Sequence, residues 1–393
     1  SSFQPVKVLK GTFRSAQSAI NPRKVLVVLQ FTFAIALIIC TVIVEHQIKY
    51  AESRDAGYSK DQLVYVPIEG EIEKHYEAIK NDLLGKGAAL AVTKSMSPIS
   101  TRYSDGWGWT WEGSTEADKK TDFVRMASDA DFIKTMGAKL IAGRDINIKN
   151  YPGDSTAMLL NETGVKAMRF KNPVGQIVHA DDKNWTVVGV VKDFIYESPY
   201  EKINPLVIMG PKSWFTTIHF KLNPANSTEK DLQIAQNVFK EYNPQYPFNY
   251  HFVDAEYAKK FGEEKRTGTL AALFAGLTIF ISCLGLFGLA TYMAENRIKE
   301  IGVRKVLGAS VTSITTLLSK DFLKLVIISF LIAAPIAWWV MNSWLQSYTY
   351  RISIQWWVFA LAGILSVIIA LLTVSYQAIK AAISNPVESL RSE

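Results

Sequence analysis

Cysteine and histidine are scarce in this sequence, which has two cysteines and five histidines among 393 residues. Both cysteines, Cys40 and Cys283, fall inside apolar segments, so no disulfide framework can hold the long region between those segments together. The histidines are scattered singly, without the spacing of a metal-binding motif. We therefore expect no metal site and no cofactor on this chain.

Familiar catalytic motifs are also missing. The sequence has no Walker A loop, no G-x-S-x-G elbow and no H-E-x-x-H pair. A membrane-anchored enzyme is accordingly the weakest of the functional hypotheses. We expect the chain to have no catalytic residues, so any chemical energy that drives it must come from a partner.

Charge is absent from four long runs, each long enough and apolar enough to cross a bilayer. The first run has 20 residues and no small-residue cleavage site after it, so it is predicted to be a retained span rather than a signal peptide. None of the runs holds an acidic residue, a basic residue or a histidine, so the parts of an ion relay within the spans are missing. The runs are residues 25–44, 270–293, 325–345 and 356–379.

The net charge of +7 is unevenly distributed. Residues 46–269 hold 29 basic and 30 acidic side chains, whereas the remaining residues hold 14 basic and 6 acidic ones. Basic residues flank the first run on its N-terminal side and fill the segment between the second and third runs. This positive-inside pattern predicts that the N-terminus, the 294–324 segment and the C-terminus are cytoplasmic. The excess positive charge therefore reports topology and gives no support to nucleic-acid binding.

The predicted fold class is a membrane protein with an α-helical four-span transmembrane domain, arranged as one span and then three, and a large α+β extracytoplasmic domain. Strand and helix patterns alternate through the large region. WGWTWE predicts a strand with Trp107, Trp109 and Trp111 on one face, either buried or free to bind a ligand. A single helix is predicted from Ala255 into the second span. The predicted segments are 1–24 (cytoplasmic), 25–45 (first span), 46–266 (large domain), 267–384 (transmembrane domain) and 385–393 (cytoplasmic tail).

The stretch ENRIKEIGVRKVLGAS, residues 295–310, carries six charges directly after an uncharged run. On a helix, Arg297, Glu300 and Arg304 fall within an arc of roughly 60°. Charge alone fits a plain positive-inside loop as well as a binding surface.

These residues, and several others in the same order, resemble a known family. ENRIKEIGVRKVLGAS followed by SITTLLSKDFLKLV resembles the cytoplasmic segment of FtsX-like permeases of the MacB type. AGRDI (142–146), LLNETGVKAMRFKNPVGQIV (159–178) and WTVVGVVKDF (185–194) resemble the MacB-like periplasmic core domain, and NPVESLR (385–391) resembles the family's C-terminal signature.

The resemblance implies an ABC transporter permease of the mechanotransmission type, in which a separate cytoplasmic ATPase drives a periplasmic conformational change. It places the ATPase-docking surface on a set of charged residues: Glu295, Arg297, Lys299, Glu300, Arg304 and Lys305. The chain departs from MacB itself, which carries its ATPase on the same chain. FQPVKVLK (3–10) and SNPVESLR (384–391) share P-V-x-x-L and a following base, which suggests the second half of a duplicated eight-span permease.

Two functions follow from this resemblance. One is export of peptides, lipoproteins or antimicrobials; the alternative is an FtsX-like module that regulates a periplasmic partner such as a cell-wall hydrolase. The expected location is the bacterial inner membrane. Expected partners are an ABC ATPase, a second permease half or a second copy, membrane lipid and a periplasmic adaptor.

Ala272 and Gly276 form a small-xxx-small pair for close helix packing, and Pro335 is predicted to kink the third span.

Overall fold

The computed structural model describes residues 22–297, 300, 303–304, 307 and 309–383. The proposed repeat at 3–10 and 384–391 lies outside the described residues, as do Lys299 and Lys305. In chain order, the elements are α1 (Pro22–Ser53), β1 (Leu63–Pro67), α2 (Ile72–Gly85), β2 (Ala89–Ser95), β3 (Ser104–Gly106), β4 (Thr110–Trp111), β5 (Phe123–Ala127), α3 (Phe132–Met136), β6 (Leu140–Gly143), β7 (Ala157–Asn161), α4 (Glu162–Met168), β8 (Ile177–Ala180), β9 (Lys183–Val191), β10 (Leu206–Met209), β11 (Thr217–Leu222), α5 (Thr228–Tyr242), β12 (His251–Phe252), α6 (Val253–Lys259), α7 (Gly262–Asn296), α8 (Val311–Leu345) and α9 (Trp356–Ile383).

The chain divides into two compact units. Of the described residues, those in 22–48, 264–347 and 352–383 form one, called here the helical unit, and residues 49–263 with 348–351 form the other, called the large domain. Within the described residues, four helices (α1, α7, α8 and α9) are long and apolar enough to cross a membrane. The predicted fold class, four helical spans with a large α+β domain, is confirmed.

Helix α1 is the most enclosed of the four long helices. Its most apolar window is 44% buried, against 17% for that of α7. The buried side chains of α1 recur every fourth residue and form one stripe that packs against α7, α8 and α9. The Ser329 hydroxyl of α8 also donates to the Val28 carbonyl of α1 at 3.0 Å, a polar contact of the kind that fixes helices in an apolar medium. The stripe consists of Val27, Phe31, Ile35, Ile39 and Ile43.

The first sheet of the large domain is antiparallel, in the order β12-β1-β11-β2. Helices α2 and α5 cover it because each presents an apolar stripe to the strands. Tyr76, Ile79 and Leu83 of α2 are buried with Val238 and Phe239 of α5 in a single cluster with the strand side chains.

The second sheet has the order β3-β5-β10-β7-β9-β8-β4, with β6 paired to β9. The pairs β5–β10 and β7–β9 are parallel and the others are antiparallel. Although β3 and β4 lie at opposite ends of this order, only residues 107–109 separate them in sequence. Such a connection spans at most about 14 Å, so the two ends of the sheet lie near each other and the sheet is strongly curved.

The predicted strand through WGWTWE is wrong. Trp109 and Trp111 are 2% and 4% exposed and pack with Phe123, but Trp107 is 70% exposed. Gly108 has φ +78°, a left-handed conformation that interrupts the pleat. The alternation of tryptophans therefore does not place the three side chains on one face.

The predicted continuous helix from Ala255 into the second span is also wrong. Helix α6 ends at Lys259, and tight turn bonds follow, with Lys260 N donating to Tyr257 O at 3.1 Å. The Phe261 side chain, 2% exposed, is buried against the rings of Tyr257 and Tyr200. Helix α7 then starts at Gly262, so residues 260 and 261 interrupt the helix that the pattern predicted as continuous.

Candidate coupling segment and motif cluster

The predicted coupling segment is 294–324; we use the name coupling segment below for its first part, residues 294–310, which includes the end of α7 and the connection to α8. Its C-terminal end is fixed by Ser310, whose hydroxyl accepts a hydrogen bond from Ser313 N at 3.2 Å and so caps α8. Ala309 N donates to Arg304 O at 2.9 Å, and Ala309 packs against the core of the helical unit. The segment is therefore tied to the helices that it joins.

Three of the predicted docking residues form ion pairs within the chain. Arg297 Nη2 lies 3.1 Å from Asp321 Oδ2 of α8, and both side chains are about one-third exposed. Arg304 Nη2 lies 2.8 Å from Glu300 Oε1, four residues earlier, and both are half-exposed. Arg297 therefore has a partner within the chain, whereas the Glu300–Arg304 pair and Glu295 lie on the exposed surface.

An exposed apolar pair accompanies these charges. Val303 is 49% exposed and Leu307 is 80% exposed. Leu307 N donates to Val303 O at 3.1 Å, the bond of a helical turn, so the two side chains share a face. The pair was not among the residues predicted from charge; its i,i+4 spacing was the available signal.

The predicted helix-packing residues lie in α7 and α8. Ala272 and Gly276 are exposed, and no heavy atom of another described residue lies within 4 Å of the position that a Cβ at Gly276 would occupy. The small pair thus faces away from the other described helices of this chain. Pro335 lies within α8, which runs as one helix from Val311 to Leu345.

In the large domain, two of the sequence motifs interlock at the start of α4. Asn161 caps the helix, its Oδ1 accepting from Gly164 N at 2.7 Å and from Leu206 N at 2.8 Å. Asp193, from the KDF of the third motif, accepts from Thr163 N at 3.0 Å and from the Thr163 hydroxyl at 2.7 Å. The Asp193 carboxylate also suits the positive end of the helix dipole.

The AGRDI motif meets the third motif along β6 and β9. Gly143 and Gly189 are register partners across the two strands. Beyond β6, Arg144 Nη2 donates to Asp154 Oδ1 at 2.8 Å, and Asn147 N donates to Asp154 Oδ2 at 2.9 Å. Burial raises the pKa of Asp154, but these hydrogen bonds outweigh burial and hold the pKa below its usual value. The motifs therefore build the scaffold of the large domain.

We expect Asp193→Ala to lower the free energy of unfolding by roughly 2 kcal/mol, because α4 loses two hydrogen bonds at its start. Thermal unfolding of the detergent-solubilised chain, followed by tryptophan fluorescence, should show a transition lowered by about 5 °C. Glu112→Ala, which removes an exposed carboxylate of the same domain, is the control. Equal transitions in both variants would contradict the interlock.

A serine–histidine pair in the large domain resembles a catalytic dyad only in composition. Ser95 Oγ lies 2.8 Å from His219 Nδ1, and Ile99 N donates to His219 Nε2 at 3.3 Å. Both side chains are fully buried, and burial lowers the pKa of His219 to about 3. With Nε2 accepting, Nδ1 carries the proton and donates to Ser95, so the pair joins β2 to β11 as a structural contact. Among the described residues, no group of His, Cys, Asp and Glu side chains could hold a metal ion.

Two family models match this chain. The model of the MacB-like periplasmic core domain matches residues 7–237, more than half of the chain, and the model of the FtsX-like permease C-terminal region matches residues 272–386. The ABC transporter permease YknZ of Bacillus subtilis is 21% identical over 355 residues, which cover 84% of this chain and 85% of YknZ.

Two solved structures also match at 14% identity. The periplasmic region of MacB from Actinobacillus actinomycetemcomitans aligns with 53% of this chain and 96% of its own, with a TM-score of 0.38. The extracellular domain of YknZ aligns with 48% of this chain and 96% of its own, with a TM-score of 0.34. On the family-model matches, the chain belongs to the MacB/FtsX family of ABC transporter permeases.

Proposed function

We propose that this chain is the permease subunit of a mechanotransmission ABC transporter, in which a separate cytoplasmic ATPase docks on the coupling segment. The observation that carries the proposal is the exposed Val303–Leu307 pair beside the exposed Glu300–Arg304 ion pair. An 80% exposed leucine flanked by charges is the composition of a docking surface, with an apolar centre and a polar rim.

The energetics favour such docking. Burying a leucine side chain contributes about 1.5–3 kcal/mol, which is large for a single contact. The charges around the pair steer the encounter and fix its register more than they add affinity. We therefore propose that Val303 and Leu307 supply the affinity for the ATPase, whereas Glu295, Glu300 and Arg304 set its orientation.

Helix α7 offers a direct path for the motion. It runs without a break from Gly262 to Asn296, 35 residues, or about 52 Å at 1.5 Å per residue. One end follows the large domain in sequence and the other enters the coupling segment. A displacement of the coupling segment by the ATPase can thus move the start of α7.

The remaining assignments follow from this arrangement. ATP is hydrolysed by the partner, since this sequence has no Walker A loop. The exposed Ala272–Gly276 face of α7 accepts a second permease half or a second copy, and a periplasmic adaptor can meet the large domain. The coupling segment is cytoplasmic and the large domain periplasmic, in the inner membrane of a bacterium. We propose that the function of this transporter is the export of peptides, lipoproteins or antimicrobials.

The test is co-purification of the full-length protein with candidate ATPases, followed by ATPase assays. We expect a stable complex whose ATPase rate depends on the permease. This dependence should be lost when the charges of Arg297, Glu300 and Arg304 are reversed. Failure of every candidate to bind, or a rate unchanged in the triple variant, would contradict the proposal.

The internal pair Arg297–Asp321 requires a matched control. Reversal of Arg297 alone breaks this contact, so loss of coupling could reflect a displaced α8. The swap Arg297→Asp with Asp321→Arg restores the pair with its polarity exchanged. If the swap variant binds as the wild type does, Arg297 acts within the chain, and the docking role falls to Glu300 and Arg304.

A further inference from the structure

The short connection between α8 and α9 includes four residues that belong to the large domain. Helix α8 ends at Leu345 and α9 begins at Trp356, and residues 348–351 group with residues 49–263. Thr349 N and Tyr350 N donate to the same acceptor, Tyr200 O, at 3.1 and 3.3 Å. One carbonyl with two lone pairs thus holds two successive amides of the connection.

Side chains reinforce these backbone bonds. The Tyr348 ring lies 4.9 Å from the ring of Tyr200, a residue that is 5% exposed. The Arg54 guanidinium lies 3.5 Å from the centre of the Tyr350 ring, and Arg54 Nη1 also donates to Pro199 O. Arg54 directly follows α1 in sequence, so it joins the end of α1, the 199–200 segment and Tyr350 within the large domain.

The residues that follow this connection contact α1. Ile352 N donates to Gln47 Oε1 at 2.9 Å, and the Gln47 side chain is almost fully buried. The rings of His46 and Trp357 meet edge to face at 5.9 Å. Ile352 and Trp357 are therefore held by α1 within the helical unit, directly after the four residues that belong to the large domain.

We propose that residues 348–351 form a clamp that transmits movement of the α8–α9 hairpin to the 199–200 segment of the large domain. Arg54, Tyr348 and Tyr350 are its positioning residues. The clamp adds a third mechanical connection to the two that the chain makes through α1 and α7. This inference rests on the proposed function, because a clamp transmits only if the helices move.

The clamp can be tested by hydrogen–deuterium exchange of the full chain in lipid nanodiscs with its co-purified ATPase, with and without ATP. In the wild type we expect protected amides at Thr349 and Tyr350 and an ATP-dependent change in exchange across residues 196–204. In Arg54→Leu and in Tyr350→Ala, the two amides should exchange roughly tenfold faster. The ATP-dependent change at 196–204 should fall several-fold, while ATPase binding is unchanged.

Arg54→Lys keeps a cation over the ring and should restore most of the ATP-dependent change, and Tyr250→Ala removes an exposed aromatic outside the clamp and should have no effect. A purely structural contact would raise exchange with and without ATP equally and leave their difference intact, which would overturn the clamp. If ATP changes exchange nowhere in the wild type, the proposed function fails and the clamp with it. If ATP changes the start of α7, while 196–204 responds equally in wild type and variants, only the clamp fails.

Discussion

Replacing Leu307 with aspartate is expected to weaken binding of the ATPase partner roughly 30-fold, the equivalent of about 2 kcal/mol. Leu307 is 80% exposed, so the folded chain loses little when the side chain changes. A partner docked as proposed, by contrast, would have to bury an unpaired carboxylate in place of an apolar group. Binding of the purified ATPase to the permease in nanodiscs measures the effect directly.

Leu90→Asp is the matched control, because Leu90 is also an exposed leucine but lies in the large domain, on β2. We expect it to leave ATPase binding unchanged. A Leu307→Asp variant that binds with wild-type affinity would remove the apolar pair from the docking surface. Val303→Asp should then be tested alone, since Val303 is only 49% exposed and part of its surface is already covered.

Gly189→Ala is expected to prevent the large domain from folding, at a cost of about 3 kcal/mol or more. A Cβ at this position would lie 2.3 Å from Arg144 O and 3.2 Å from Ala142 O. These are backbone atoms of the segment paired with β9, and Arg144 N donates to Val188 O at 3.0 Å. The oxygens cannot retreat without breaking the β6–β9 pairing, so a single methyl group is enough to disrupt it.

The measurement is the yield of protease-resistant, monodisperse protein after expression at low temperature. Gly153→Ala is the control, because no heavy atom of a described residue lies within 4 Å of the position of its new Cβ. Normal yield and an unchanged unfolding transition in Gly189→Ala would show that the strands tolerate separation. The role of glycine in the VVGVV motif would then need another explanation.

Sequence patterns predicted the helical spans well because their cause is local. An uncharged run of 20 residues or more satisfies its backbone only as a helix in lipid, whatever the rest of the chain does. Most strands and helices of the large domain were also recognisable from local periodicity. Helix α5 is one such element, since Ser227 precedes it and caps it, its side chain accepting from Lys230 N.

Tertiary structure decided the features that depend on distant residues. Periodicity assigned Trp107 to a strand face, but the left-handed Gly108 turns Trp107 toward solvent. Burial of Phe261 against Tyr200, some 60 residues earlier, divides the helix that local pattern predicted as continuous. Gly108 is visible in the sequence, but the left-handed conformation that it adopts and the burial of Phe261 against Tyr200 are not.

The charged residues predicted to dock the ATPase show the same division. Their identity and spacing come from the sequence, but only the fold pairs Arg297 with Asp321 and leaves Leu307 exposed. The sequence by itself determined which segments are apolar enough to cross a membrane and that the Walker A, G-x-S-x-G and H-E-x-x-H motifs are missing from it, because these properties belong to single residues and short runs. The three-dimensional structure decided which motifs meet, which charges are used within the chain and how residues 348–351 are held by Tyr200 and Arg54, because each of these contacts joins residues far apart in sequence.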